Sequence, residues 1–374
     1  MSDEGCGMLT WAFRLGSLVL GLGLRSRSFK LVSASAPRPK SQDLRPCFIA
    51  YLSSLILILG CAKSEQKAAT TPDADQPAAS HIRLFLNWYP EAEHGGYYAA
   101  LREGYYRDAG LDVEIVKGGP SAPVIPQVDR GEMEFGITNA DGLLLARAEE
   151  ASVVALMAPI QISPRCIMVH ATSKINDFGE LKNMTIAMNP QPFATFLQKH
   201  VALEGVTVVP YQGSVAQFLS DANFAQQAYV FSEPFVAEQQ GGDPKSLLVA
   251  DLGFNPYTSL LFTSEAYLNE HEDIVAGMVS ASVQGWRHYL DAPEKTNAYL
   301  HEINPDMSLE ALAYGVKALK PLVVDQQSSE DICTMSLDRW QTLVRQLAEL
   351  ELTKPGAIDP SQAFTTKFLT PAAP

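Results

Sequence analysis

The stretch LNWYPEAEHGGYYAALREGYYRDAGLDVEIVKGG, residues 86–119, decides how the rest of the chain is read. It opens at the end of the apolar run IRLFLN, residues 82–87, which reads as a strand, and Pro90 breaks the segment that follows. The Gly-Gly-Tyr-Tyr run at 95–98 opens a helix that continues to about Arg102. Gly104 and Gly110 punctuate the next turn of chain, and LDVEIV alternates apolar and acidic residues like a half-exposed strand.

The same alternation continues downstream. VIPQVDRGE suggests a helix, EFGIT (134–138) a short buried strand and DGLLLARAEE another helix. ASVVALMAPI (151–160) and RCIMVHA read as strands, FGELKNMTIAMN as a short helix and strand, and FATFLQKHVALEG as an amphipathic helix. Short βαβ-type alternation predicts an α/β protein with mainly parallel sheets flanked by helices. From about Ser264 the pattern becomes nearly all helical, with Ser264, Ser308 and Ser336 placed as N-caps. No internal repeat is visible.

Upstream the character changes. The uncharged run FIAYLSSLILILG, residues 48–60, is too short to span a bilayer comfortably but suits the core of a secretory signal. Its end, Ile58-Leu59-Gly60-Cys61, resembles a bacterial lipobox, in which cleavage before Cys61 leaves a lipidated cysteine; a signal anchor, or a buried helix with an accidental cysteine, is the alternative. Residues 62–80 are small, polar and Pro-containing, the composition of a flexible tether. Residues 1–44 fit this scheme poorly, and a start near Leu44 is the expectation, so that 1–60 is signal or extension and 61–80 the tether.

The chain has 374 residues, 47% hydrophobic and 19% charged, enough to bury a core and inconsistent with a disordered or collagen-like class. Its 28 basic and 42 acidic residues give a net charge of −14, which argues against a nucleic-acid or anionic-lipid binding face. Residues 1–60 hold seven basic and three acidic residues, so the body from Cys61 onward is more acidic than the whole. Five cysteines, Cys6, Cys47, Cys61, Cys166 and Cys333, form no CxxC pair or Cys/His cluster, and no structural metal site is expected. Cys166 and Cys333 are expected as separate buried thiols, with a disulfide between them the alternative.

Three segments stand in an order that resembles one family: the Asn87-Trp88-x-Pro90 opening with His94, the GYYRDAGLDV run, and SEPFVAEQQGG at 232–242. They resemble the periplasmic solute-binding proteins that feed ABC importers of thiamine-pyrimidine precursors, riboflavin, sulfonates and nitrate, a fold shared with the eukaryotic pyrimidine-precursor synthase. The resemblance covers roughly residues 81–350. It implies a two-lobed periplasmic binding protein of type II, with lobe one at 81–165 and 258–374, lobe two at 166–257, and the ligand in the cleft. It also implies a membrane permease as partner, a monomer, no cofactor and no chemistry.

Several candidate residues sit at strand ends, where open α/β sheets place ligands, and for Thr138, Asn139 and Glu233 the resemblance implies a place against the ligand. Trp88 offers an indole face to a heteroaromatic ring, or packs the lobe core, and Tyr89 is the candidate beside it. His94, before Gly95-Gly96, either meets the ligand or bonds the backbone at a helix start. Thr138, Asn139 and Asp141 follow the EFGIT strand; Asp141 equally reads as a helix cap. Asn189-Pro190-Gln191-Pro192-Phe193 replaces the amide-rich turn of anion-binding relatives with two prolines and a ring, favouring a neutral or cationic flat ligand. Glu233 supplies a carboxylate for an amine or aminopyrimidine edge, or stabilises a helix start. Tyr257 lies on the return crossover. Gly118-Gly119-Pro120 read as turn makers, and Trp286, Tyr289 and Trp340 as core.

An aminated heterocycle such as a thiamine pyrimidine precursor is therefore expected, with sulfonate, taurine or nitrate as the alternative that a basic cleft residue such as Arg165 would help. The synthase alternative disagrees with the residues: Thr138 stands where the family's cofactor lysine would be, Gly142 where its histidine would be, and Phe254–Tyr257 carries no thiol. A sensory binding subunit is the third class.

Overall fold

The computed structural model describes residues 80–323 and 332–369. The signal-like run, the tether to residue 79 and the lipidation expected at Cys61 lie outside these described residues. The chain divides into two units, 1–71 and 72–374, and every described residue belongs to the second.

Among the described residues, ten strands form two sheets: β1 (Ser80–Phe85), β2 (Leu111–Val116), β3 (Phe135–Thr138), β4 (Val153–Met157), β5 (Arg165–His170), β6 (Thr185–Ala187), β7 (Thr207–Val209), β8 (Phe224–Tyr229), β9 (Pro244–Leu248) and β10 (Leu260–Ser264). One sheet has the order β2-β1-β3-β10-β4 and the other β7-β6-β8-β5-β9. In the first, β1 is parallel to β2 and β3, and β10 is antiparallel to β3 and β4. In the second, β6 is parallel to β7 and β8, and β5 is antiparallel to β8 and β9. Each sheet thus has one reversed strand among neighbours that share a direction. The alternation of the sequence hides that strand, because β10 and β5 are the two segments by which the chain re-enters and enters a sheet from the other side.

Those entries define two crossovers, 158–164 out of the first sheet and 249–259 back into it. They touch: Thr258 N–H donates to Ile160 O at 3.2 Å, and Ser163 N–H to Asn255 Oδ1 at 2.7 Å. Two mixed α/β lobes joined by paired crossovers are the result.

Local sequence explains the elements around the first βαβ unit. In β2, Leu111 and Val113 are buried while Asp112 and Glu114 are exposed, the period-two pattern of a strand with one wet face. Helix Gly95–Arg102 begins with two glycines because it lies directly on helix Glu272–Asp291. A Cβ on Gly95 would sit 2.0 Å from the Tyr289 ring and one on Gly96 2.2 Å from the Trp286 ring. Trp286, Tyr289 and Trp340 are all core residues, as their spacing predicts. Ser264, Ser308 and Ser336 each cap a helix, accepting the N–H of Tyr267, Ala311 and Arg339. Cys166 and Cys333 are free and buried.

Candidate ligand-binding cleft

A cavity of about 410 Å³ lies where the strand ends of the two sheets meet. That is within the range of small-molecule sites, ~300–1,000 Å³. One wall is Trp88, Tyr89 and Glu91, extended by Asn304, Asp306 and Met307; the other is Tyr211, Ser232, Glu233 and Val236. Trp88 and Tyr89 are 39% and 50% exposed, with their rings edge to face at 5.5 Å. Their backbone is held by Gly118, whose N–H donates to Trp88 O at 3.1 Å. A Cβ on Gly118 would lie 2.0 Å from Leu86 O, so only glycine admits this approach. Asn304 Nδ2 fixes the next residue by donating to Pro90 O at 2.7 Å. The two rings are thereby presented at the rim.

Behind them the EAEH segment folds into a tight turn, Ala92–His94, covered by helix Leu309–Val323. The close approach of that helix at Gly315, where a Cβ would stand 2.6 Å from Ala92 Cβ, buries Glu91, Glu93 and His94. His94 Nε2 lies 2.9 Å from Asn87 Oδ1 and 3.1 Å from Glu93 Oε1, and Asn87 Nδ2 donates to Glu93 Oε1 at 3.3 Å. Burial pushes the Glu91 carboxyl well above the usual range, and the charges of Glu93 and Glu233 add to that. Burial acts on Glu93 as well, but the charge and hydrogen bond of His94 outweigh it and leave the carboxyl below its usual value. Among the described residues, Glu93 Oε2 and His94 Nδ1 are buried without a hydrogen-bond partner.

Across the cavity, Glu233 opens helix Glu233–Gln239 and accepts Tyr229 N–H at 2.8 Å and Tyr211 O–H at 2.9 Å. Burial still raises its carboxyl, against these bonds and the charge of Arg165. The Tyr229 hydroxyl accepts from Arg165 Nη2 at 2.8 Å and from Asn139 Nδ2 at 3.2 Å. Asn139 Oδ1 in turn accepts Ser259 N–H at 3.2 Å. This chain links the end of β8 to the end of β3 and the return crossover, where Ser259 is held at φ 52°, a left-handed conformation that costs a non-glycine residue ~1 kcal/mol or more.

The sequence-derived residues distribute unevenly. Trp88, Tyr89 and Glu233 line the cavity. His94 is fully buried behind it and bonds side chains rather than backbone. Asn139 sits in the inter-sheet chain, and Thr138 stands half-buried at the end of β3. Asp141 is buried in the first helical turn, where its Oδ1 accepts Gly142 N–H at 3.0 Å; burial raises its carboxyl and Arg165 opposes that. Asn189 supports its own loop, donating its N–H to Gln227 Oε1 at 2.7 Å and accepting Tyr211 N–H at 3.2 Å. Phe193 and Tyr257 are buried outside the cavity wall, and each ring face is taken by an arginine: Arg165 at 4.5 Å and Arg339 at 3.7 Å.

Glu91, Tyr211, Asn304 and Asp306 belong to the cavity and had no sequence signal of their own. Glu91 stands in a polar run, and tertiary packing around the Ala92–His94 turn, helix Leu309–Val323 included, removes it from water. Among the described residues no group of three or more His, Cys, Asp or Glu side chains is arranged to hold a metal ion, and no helix is long and apolar enough to cross a membrane.

Two lobes, paired crossovers and a cavity at the facing strand ends define the periplasmic solute-binding fold. The chain belongs to the NMT1/THI5 like family, whose model matches residues 91–296. It is 23% identical over 253 residues to the formylaminopyrimidine-binding protein of Halalkalibacterium halodurans, covering 65% of this chain and 76% of that one. It is 22% identical over 328 residues to the riboflavin-binding protein RibY of Chloroflexus aurantiacus, covering 81% and 89%. A third relative, 19% identical over 299 residues and covering 78% and 92%, is the 4-amino-5-hydroxymethyl-2-methylpyrimidine phosphate synthase of Legionella pneumophila. Among solved structures, the periplasmic aliphatic sulphonate binding protein SsuA of Escherichia coli superposes with a TM-score of 0.61 at 15% identity, over 78% of this chain and 93% of that one.

Proposed function

We propose that this protein is the solute-capturing component of an ABC importer and that its ligand is a small flat heterocycle bearing amino groups, a thiamine pyrimidine precursor. One observation carries the choice of ligand: among the described residues, the cavity wall contains Glu91, Glu233 and Asp306 and no Lys, Arg or His. A wall that offers carboxyl groups and no basic side chain favours a donor-rich guest, half-buried Glu233 and exposed Asp306 accepting from its amino groups; charge-assisted hydrogen bonds to an ionised carboxylate are about twice as strong as neutral ones. Trp88 and Tyr89 supply the flat apolar contact at the rim. The formylaminopyrimidine-binding relative agrees with this chemistry.

The lobes are 81–165 with 258–374, and 166–257, and they close on the ligand as a monomer that then meets its permease. Lipid on Cys61 holds the protein at the extracytoplasmic face of a membrane, with 62–80 as its tether. A sulfonate, taurine or nitrate reading has Arg165 in its favour, but that cation already bonds Tyr229, lies over Phe193 and faces Asp141. A synthase reading has a relative of that name, but the lysine, histidine and cysteine positions hold Thr138, Gly142 and Phe254–Tyr257.

Calorimetric titration of the full chain with aminopyrimidines, riboflavin and taurine tests this reading. Saturable binding of an aminopyrimidine, weakened by Trp88→Ala, supports it; binding of taurine alone overturns the ligand and keeps the transport class.

A further inference from the structure

Helix Leu337–Glu349 touches both crossovers and the second sheet's flank as well. At its start, Arg339 Nη2 donates to Gln161 O at 2.6 Å and to Asn255 O at 3.0 Å, and Nη1 to Gln161 Oε1 at 3.2 Å. The same guanidinium lies 3.7 Å from the centre of the Tyr257 ring. Gln161 belongs to the outgoing crossover and Asn255 and Tyr257 to the returning one, so a single side chain holds both. Neighbouring bonds repeat the pattern. Gln161 Nε2 donates to Thr334 O at 2.9 Å, and Ser336 N–H donates to the Tyr257 hydroxyl at 3.0 Å. At the far end of the helix, Gln346 Nε2 donates to Gly253 O at 2.9 Å, and Lys199 Nζ, from helix Pro192–His200 beside the second sheet, donates to Glu349 O. Its apolar face, Trp340, Leu343 and Leu347, is buried in a core shared with residues of both sheets.

Lobe closure has to be absorbed by backbone rotations in the crossovers. A planar fork bonded to two carbonyls and stacked on a ring has one geometry, which lysine cannot reproduce. We propose that Arg339 is a positioning residue for the hinge: by holding Gln161, Asn255 and Tyr257 together, it makes the two crossovers move as one unit, and helix Leu337–Glu349 is the brace that sets how far the lobes open. The inference rests on the two-lobed capture reading but not on the identity of the ligand, and its test needs no ligand.

Amide hydrogen exchange of the full chain tests it, in wild type, Arg339→Met and Arg339→Lys. The reporting amides are hydrogen-bonded now: Ile162 to Leu322 O, Ser163 to Asn255 Oδ1 and Thr258 to Ile160 O. In Arg339→Met these amides exchange about tenfold faster while those of β1, β6 and β8 keep their rates, and the scattering radius of the ligand-free chain increases. Arg339→Lys restores the charge but only part of the protection, and it carries the test if Arg339→Met does not fold. Unchanged crossover exchange overturns the proposal. So does a uniform acceleration across the sheets, which would mean that Arg339 serves only overall stability.

Discussion

Glu233→Gln separates the charge of the cavity from its shape. Glu233 now accepts two hydrogen bonds, from Tyr229 N–H at 2.8 Å and Tyr211 O–H at 2.9 Å. Glutamine keeps both: its carbonyl accepts Tyr229 N–H, and its amide donates to the Tyr211 oxygen after the hydroxyl rotates. What disappears is a carboxylate that burial disfavours. The ligand-free variant is therefore expected to be at least as stable as wild type at neutral pH. Affinity for an aminated ligand falls instead, by the ~1.5–3 kcal/mol of a hydrogen bond to a charged group. At ~1.4 kcal/mol per decade this is a loss of roughly ten- to a hundredfold in Kd. Calorimetry of the two proteins with one aminopyrimidine, alongside their melting curves, reads both quantities. An unchanged Kd would refute the reasoning, and so would a Kd loss accompanied by an equal loss of stability.

Three further outcomes follow from other parts of the site. Glu91 has a raised carboxyl, so the folded state holds its proton above the unfolded value of ~4.3, and its contribution to stability falls as pH rises through that window. Glu91→Gln flattens the decline and raises stability at pH 7 relative to pH 4.5, which urea titrations at the two pH values measure. Tyr229→Phe leaves Arg165 and Asn139 without their shared acceptor and weakens the link between the sheets by ~1–3 kcal/mol; small-angle scattering should show a more open ligand-free chain. Gly96→Ala gains ~1 kcal/mol of helix propensity but drives a methyl to within 2.2 Å of the buried Trp286 ring, and a net loss of ~1–3 kcal/mol is expected in denaturant unfolding.

What the sequence made legible follows from which forces are local. The β1, Gly95–Arg102, β2 unit, the serine caps and the core aromatics each depend on periodicity or on residues a few positions apart, and all are found. Strand direction is less local: β5 and β10 look like their neighbours in sequence, and only the path of the crossovers reverses them. The short edge strands β7 and β9, TVV and PKSLL, carry too little apolar pattern to be read at all. Of the residues that strand ends and turn residues pick out, Trp88, Tyr89 and Glu233 stand in the cavity wall. Phe193 and Tyr257 stand outside that wall, and Arg165 and Arg339, neither of them adjacent in sequence, lie over their rings. Glu91 was invisible because its burial is made by tertiary packing that includes a helix more than two hundred residues away.

The proposed ligand of the acidic, aromatic-rimmed cavity is an aminated heterocycle. The most direct measurement is a thermal-shift titration of the full chain with aminopyrimidines, thiamine, riboflavin, taurine, alkyl sulfonates and nitrate. A ligand at a hundredfold excess over its Kd adds about 2.7 kcal/mol of stability. The account predicts that gain with an aminopyrimidine and its loss in Glu233→Gln. Stabilisation by sulfonates or nitrate alone, retained in Glu233→Gln, would contradict it.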